Sequence, residues 1–240
     1  MLLNYRGGIN MMVKSSKTIE KLAKASKLAD DCFDYICKKI KIGMTEKKVA
    51  SLMDKYMLSH GATALSFETI VGSGINSSQI HSIPTNRVIE YGDIVQLDFG
   101  CIVDGYCSDT SRVLFMGKIL PKYKKVYNIV KKAQLEGIKR IKPGMTADKA
   151  DAICRNIIKK EGYLFNHAVG HGVGKKVHEK PVISPKNKVD VLKDNVVFTI
   201  EPGIYIEGKF GVRIEDTCVL KDGKVIPLNK TSKEITIIEC

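Results

Sequence analysis

Apolar side chains recur at helical spacing over residues 16–40, at Ile19, Leu22, Ala23, Ala29, Phe33, Ile36 and Ile40. That period predicts an amphipathic helix. Gly43 ends it, and Thr45 can cap a second helix running to about His60. The same order returns later. Residues 126–141 read as a helix, Gly144 stops it, Thr146 caps another, and Gly162 closes that one. The junctions are alike: Ile40-Lys41-Ile42-Gly43-Met44-Thr45 matches Ile141-Lys142-Pro143-Gly144-Met145-Thr146 at five of six positions, offset by 101 residues. We read this as an internal duplication of a helix–helix–strands unit.

Strand-like runs follow each helix pair, at 65–71, 94–99, 106–115, 196–200, 212–220 and 235–238. Helices and strands come in blocks, which predicts an α+β fold with antiparallel sheet rather than a parallel βαβ fold. Asp104-Gly105, between two strand-like runs, is a two-residue hairpin signal. With those residues at the turn, position i faces position 209 − i, so Asp98 faces Ser111 and Asp109 lies on the same face. The two carboxylates are then diagonal neighbours, roughly 7–8 Å apart at the backbone.

Composition narrows the classes. The 240 residues are 44% hydrophobic, ordinary for a globular chain. No apolar run approaches the ~20 residues of a membrane helix, and residues 1–12 lack the pattern of a secretory signal. They read as a loose leader before a single unit at 13–240, with Met11 or Met12 as a possible natural start. Seven cysteines, without a CxxC pair, argue against a zinc ribbon and a full disulfide framework. Reduced thiols in a cytoplasmic protein are the expectation. The net charge of +13 is carried mostly by scattered lysines, with six arginines, which points to a solvated surface rather than specific nucleic-acid recognition.

Candidate chemistry concentrates in acids and histidines. Asp98 sits among Val95, Leu97 and Phe99, where an unpaired charge is costly. His167, His171 and His178 fall within twelve residues among glycines, and neutral imidazole is the commonest nitrogen ligand of metals. Glu201 ends an apolar strand and Glu215 stands within another. Four carboxylates and one histidine suit Mn2+, Fe2+ or Co2+, with Zn2+ also possible.

The chain resembles the pita-bread metallopeptidases: methionine aminopeptidases, Xaa-Pro aminopeptidases, prolidases and creatinase. The resemblance spans residues 13–240 and rests on Leu97-Asp98-Phe99-Gly100, Asp109, His171-Gly-Val-Gly, His178-Glu, Glu201-Pro-Gly and Gly211-Val-Arg-Ile-Glu215-Asp. It implies two pseudo-symmetric halves with antiparallel sheet and flanking helices. It also implies two divalent cations, Mn2+ foremost, held by Asp98, Asp109, His171, Glu201 and Glu215. Glu201 would handle the proton of the attacking water, and His81 and His178 would orient the peptide and stabilise the tetrahedral intermediate. The stretch from Thr69 to His81, His167, Glu201-Pro-Gly-Ile-Tyr-Ile and Arg213 resemble the Xaa-Pro branch. Arg213 could bind a substrate carboxylate or pair with a ligand acid. The length leaves no room for the separate N-terminal domain usual in that branch, a trait shared with methionine aminopeptidases. The expectation is a cytoplasmic metallo-exopeptidase, monomer or homodimer, acting on peptides with a free N-terminus. Cleavage before proline is the first reading and removal of an initiator methionine the second. A binding protein of this fold would be expected to have lost ligands.

Overall fold

The computed structural model describes residues 12–239. Of the leader expected at 1–12, residues 1–11 lie outside the described residues, and Met12 is buried in the core. Helix α1 (Ser16–Lys39) opens on Ser15, whose hydroxyl accepts from the Thr18 amide. It buries Leu22, Ala29, Phe33 and Ile36 along one stripe. Helix α2 (Glu46–Ser59) is capped by Thr45, which accepts from the Lys48 amide. In the second half, α3 (Pro121–Arg140) begins more than a turn before the expected Val126. Pro121 supplies a preset φ at a position that needs no N–H donor. Helix α4 (Ala147–Lys160) starts after Thr146, which stands at the N-cap without a side-chain capping bond.

The duplicated junction repeats in three dimensions. Gly43 and Gly144 have φ of 89° and 85°. Gly43 N–H donates to Ile89 and Gly144 N–H to Leu192, while the Ile89 and Leu192 amides donate back to Met44 and Met145. Thr45 bridges Val88 as Thr146 bridges Val191.

The strands are β1 (Ala64–Leu65), β2 (Ile70–Ser73), β3 (Ile94–Phe99), β4 (Cys101–Val103), β5 (Tyr106–Cys107), β6 (Thr110–Met116), β7 (Gly170–Gly172), β8 (Glu179–Ile183), β9 (Val197–Ile200), β10 (Gly203–Ile206), β11 (Phe210–Arg213), β12 (Asp216–Lys221), β13 (Lys224–Pro227) and β14 (Thr236–Ile238). One sheet runs β14-β6-β3-β2 and another β13-β12-β9-β7-β8, so β2-β3-β6 of the first half is matched by β7-β9-β12 of the second. Pairing is antiparallel, as expected, except between β14 and β6, which are parallel. The hairpin register holds: Asp98 faces Ser111, and Val103 faces Tyr106. Asp104 and Gly105 both have positive φ, as the tight turn requires.

Three expected strands are broken. The run at 65–71 splits into β1 and β2, that at 106–115 pauses at Ser108-Asp109, and that at 212–220 pauses at Ile214-Glu215. In the second break, the Ser108 amide bonds back to the Cys101 carbonyl, and the Ser108 hydroxyl accepts from the Cys101 amide. In the third, the Glu215 amide donates to Ser111 on β6. These breaks join strands of different sheets. Each half has its own apolar cluster, with Ile36, Met53, Val71 and Leu97 in one and Val130, Ile153, Phe198 and Ile200 in the other. Full burial of such a side chain contributes ~1.5–3 kcal/mol.

Candidate active site

The strand breaks place the acids. Asp109 and Glu215 occupy equivalent points, each just before a strand whose first residue pairs with the end of its neighbour: Thr110 with Phe99, Asp216 with Ile200. Glu215 was expected within a strand and stands instead at this junction, because its amide turns to the first half. Asp98 projects from β3, His171 from β7, and Glu201 follows β9. The first half therefore brings Asp98 and Asp109, and the second brings His171, Glu201 and Glu215. All five line one cavity of about 780 Å3 between the halves.

Ligand atoms of Asp109, His171 and Glu215 lie within 4.8 Å of one another. His171 Nε2 is 3.4 Å from Asp109 Oδ2 and 3.4 Å from Glu201 Oε1. Its Nδ1 lies 3.1 Å from the Gly172 carbonyl oxygen. A proton on Nδ1 makes that bond and leaves the Nε2 lone pair facing the acids. Burial, then the neighbouring His178, pushes the His171 pKa down to about 4, so the ring is neutral near pH 7. The backbone approaches closely here: a Cβ on Gly170 would fall on the Thr199 carbonyl. The Thr199 hydroxyl accepts from the His171 amide and donates to Glu201.

The acids repel one another. Burial, then the charges of Asp98 and Glu201, holds the Asp109 carboxyl far above the usual range. Burial, then Asp109, does the same to Glu215, and burial raises Glu201 to about 8. Among the described residues, Arg213 is their single guanidinium partner on the cavity wall, 2.5 Å from Asp98 Oδ2. Its Nε donates to Ser111, whose hydroxyl donates to Glu215. Its other terminal nitrogen donates to the Tyr205 hydroxyl and the Ile80 carbonyl. Among the described residues, Arg213 is the one cation ion-paired within this group of four carboxylates, which leaves the group electron-rich. Asp98 Oδ1 is buried without a hydrogen-bond partner among the described residues. Convergent oxygens, a neutral imidazole, an unused carboxylate oxygen and a charge deficit fit divalent cations.

The accessory histidines share the cavity. His178 meets the His171 ring edge-on at 4.3 Å between centroids. His167 lies beside Tyr205 and 4.0 Å from Glu201. Burial, then Arg213, lowers the His167 pKa to about 4, and its Nε2 is buried without a partner among the described residues. Arg155 holds the backbone beneath it, donating to the Phe165 and His167 carbonyls while paired with Asp151 on α4. His81 sits on the exposed loop after the tight turn at Gly74–Ser78. Every sequence-predicted site residue thus reaches the one cavity, His81, His167, His178 and Arg213 included. Phe67, Ile70, Ile80, Ile83, Pro84 and Val182 form its apolar wall.

Sequence reasoning gave no role to Tyr205 or Thr199 and assigned no residue to that wall. Ser111 was legible as the partner of Asp98 through the hairpin register. Tyr205 stands within the Glu201-Pro-Gly-Ile-Tyr-Ile stretch, but its role depends on the β10–β11 pairing that puts it over Arg213. The six described cysteines are unpaired, and Cys240 lies outside the described residues. Among the described residues, no helix is long and apolar enough to cross a membrane.

Comparison with known proteins agrees with this arrangement. Residues 20–222 match the model of metallopeptidase family M24. The chain is 42% identical over 229 residues to the uncharacterized peptidase YqhT of Bacillus subtilis, covering 95% of this chain and 65% of that protein. It is 40% identical over 226 residues to an Xaa-Pro dipeptidase of Pyrococcus horikoshii, covering 93% and 64%. The chain thus spans slightly less than two thirds of these relatives. The crystal structure of an X-Pro aminopeptidase from Thermotoga maritima superposes with a TM-score of 0.92 at 40% identity, covering 95% of this chain and 65% of that one. On the family match, the five converging ligand candidates and the repeated halves, the chain belongs to metallopeptidase family M24.

Proposed function

We propose that the chain is a metallo-exopeptidase that hydrolyses the N-terminal peptide bond before proline. The observation that carries the reading is the group of Asp98, Asp109, His171, Glu201 and Glu215 around one cavity, with three further histidines on its walls. In this reading the five residues hold two divalent cations, Mn2+ foremost. Bound there, the cations supply Lewis acidity and bring the pKa of water toward neutrality. Glu201 takes the proton of the attacking water and returns it to the prolyl nitrogen as the C–N bond breaks. His81 and His178 donate N–H bonds to the developing oxyanion. Arg213, with its donors occupied by Asp98, Ser111, Tyr205 and Ile80, orients ligands in this reading rather than binding a substrate carboxylate.

The Xaa-Pro assignment is supported by the names of the relatives and by the cavity wall. Proline after the scissile bond forms a tertiary amide with no N–H. A site for it offers apolar surface to the ring, and Phe67, Ile70, Ile80, Ile83, Pro84 and Val182 do so. A chelator-stripped preparation should lose hydrolysis of an Xaa-Pro dipeptide and regain it with Mn2+. Full activity without added metal contradicts the proposal.

A further inference from the structure

We propose that Glu46, outside the ligand cluster, is a positioning residue that fixes the His81 loop over the cavity. This rests on the peptidase reading above. Glu46 is the first residue of α2 and fully buried. Its Oε1 accepts from the Ser73 amide at 2.7 Å and the Ser73 hydroxyl at 2.7 Å. Its Oε2 accepts from the Thr85 amide at 3.0 Å and the Thr85 hydroxyl at 2.6 Å. The Asn76 side-chain amide is 3.1 Å from both oxygens. Among the described residues no cation lies at ion-pair distance from this carboxylate. Neutral donors and the N-terminus of α2 stabilise its charge.

The two ends of the carboxylate hold the two ends of one loop. Between the anchors at Ser73–Asn76 and Thr85, five consecutive residues line the cavity: Ile80, His81, Ser82, Ile83 and Pro84. Those five belong to no regular element. Arg213 reaches the Ile80 carbonyl at 3.3 Å. Arg87 braces the first anchor, donating to the Ser73 hydroxyl at 2.7 Å while paired with Asp93. The repeated junction shows what the carboxylate is not for. At the equivalent place in the second half stands Ala147, also fully buried, and the same backbone bonds form. The helix junction folds without an acid there, so the acid serves the loop peculiar to the first half.

Glu46→Gln keeps the volume but turns an N–H2 toward amide donors, so one anchor is lost. Amide exchange over residues 79–85 should rise in this variant. With metal content unchanged, kcat/KM on an Xaa-Pro dipeptide should fall about tenfold, yet less than about twofold when His81→Ala is already present, as expected of residues acting as a unit. Where Glu46→Gln does not fold, Thr85→Val and Asn76→Ala remove single anchors and should show the same non-additivity. Unchanged exchange, or an equal loss with and without His81, or a silent His81→Ala overturns the proposal. A parent protein inactive on every Xaa-Pro peptide overturns the peptidase reading instead, and the exchange result then decides on the loop clasp.

Discussion

Asp98 shows how single residues divide their work. One of its oxygens is held by Arg213, and the other is buried without a partner among the described residues. A buried carboxylate left half-satisfied is costly unless a cation completes it. Asp98→Asn or Glu215→Gln should therefore abolish hydrolysis in a protein that still folds. Each should also abolish the rise in Tm that Mn2+ gives the stripped parent, about 2.7 kcal/mol of stabilisation at a hundredfold excess over Kd. Elemental analysis of the loaded parent should find close to two metals per chain. His167→Ala should weaken Xaa-Pro turnover far more than it lowers metal content, because its ring faces the cavity beside Glu201. A parallel loss of metal and turnover contradicts that role. At this scale much was legible. An acid in an apolar run, or histidines among glycines, announce themselves locally. Glu46 and Tyr205 do not. Glu46 sits in a helix first turn, where acids are ordinary, and only the fold shows that it binds residues up to 39 positions away.

Among the elements, the hairpin was the most readable. Asp104-Gly105 sets its register, and that register follows through β3, β4, β5 and β6. The breaks in the strands were not readable. Ser108-Asp109 and Ile214-Glu215 contain neither glycine nor proline, so no local signal interrupts the run. Contacts between sheets make the breaks, and contacts of that range leave no mark on periodicity. β7 was missed for another reason: a glycine-flanked three-residue strand has no alternation to detect. Its glycines allow close approach instead. Gly170→Ala would drive a methyl into the Thr199 carbonyl and push β7 from β9. We expect a loss of about 1–3 kcal/mol in denaturant unfolding, together with weaker Mn2+ binding because His171 moves. Wild-type metal affinity in that variant contradicts the close packing.

Over the whole molecule, the two halves are held by buried polar ties as well as apolar packing. Arg112 on β6 pairs with Asp216 on β12 at 2.6 Å, both fully buried, and donates to the carbonyls of Glu215 and Thr231. Lys233 and Gln134 complete the Asp216 carboxylate. Burial alone would raise the Asp216 pKa, but Arg112 and then Lys233 outweigh it and hold the group below its usual value. Its contribution is thus fully present above the unfolded aspartate value of about 3.9 and is lost as pH falls through the lowered folded value. Asp216→Asn strands the guanidinium and should cost about 3–5 kcal/mol near neutral pH. Its stability should also fall less steeply in acid than that of the parent, as read by urea titration at several pH values. An unchanged midpoint near neutral pH would contradict the tie.

The repeat of Gly43-Met44-Thr45 at Gly144-Met145-Thr146 foretold this two-part build, and the cavity lies where the halves meet. In the proposed reading, the choice of substrate is decided there, between the acids and the apolar wall. The most direct measurement is kcat/KM on paired peptides with Xaa-Pro and Met-Ala N-termini, using chelator-stripped protein before and after Mn2+ add-back. Activity is expected only after add-back, with a preference for Xaa-Pro of at least roughly tenfold, about 1.4 kcal/mol in transition-state binding. Efficient release of methionine from Met-Ala peptides with Xaa-Pro peptides left intact would contradict it.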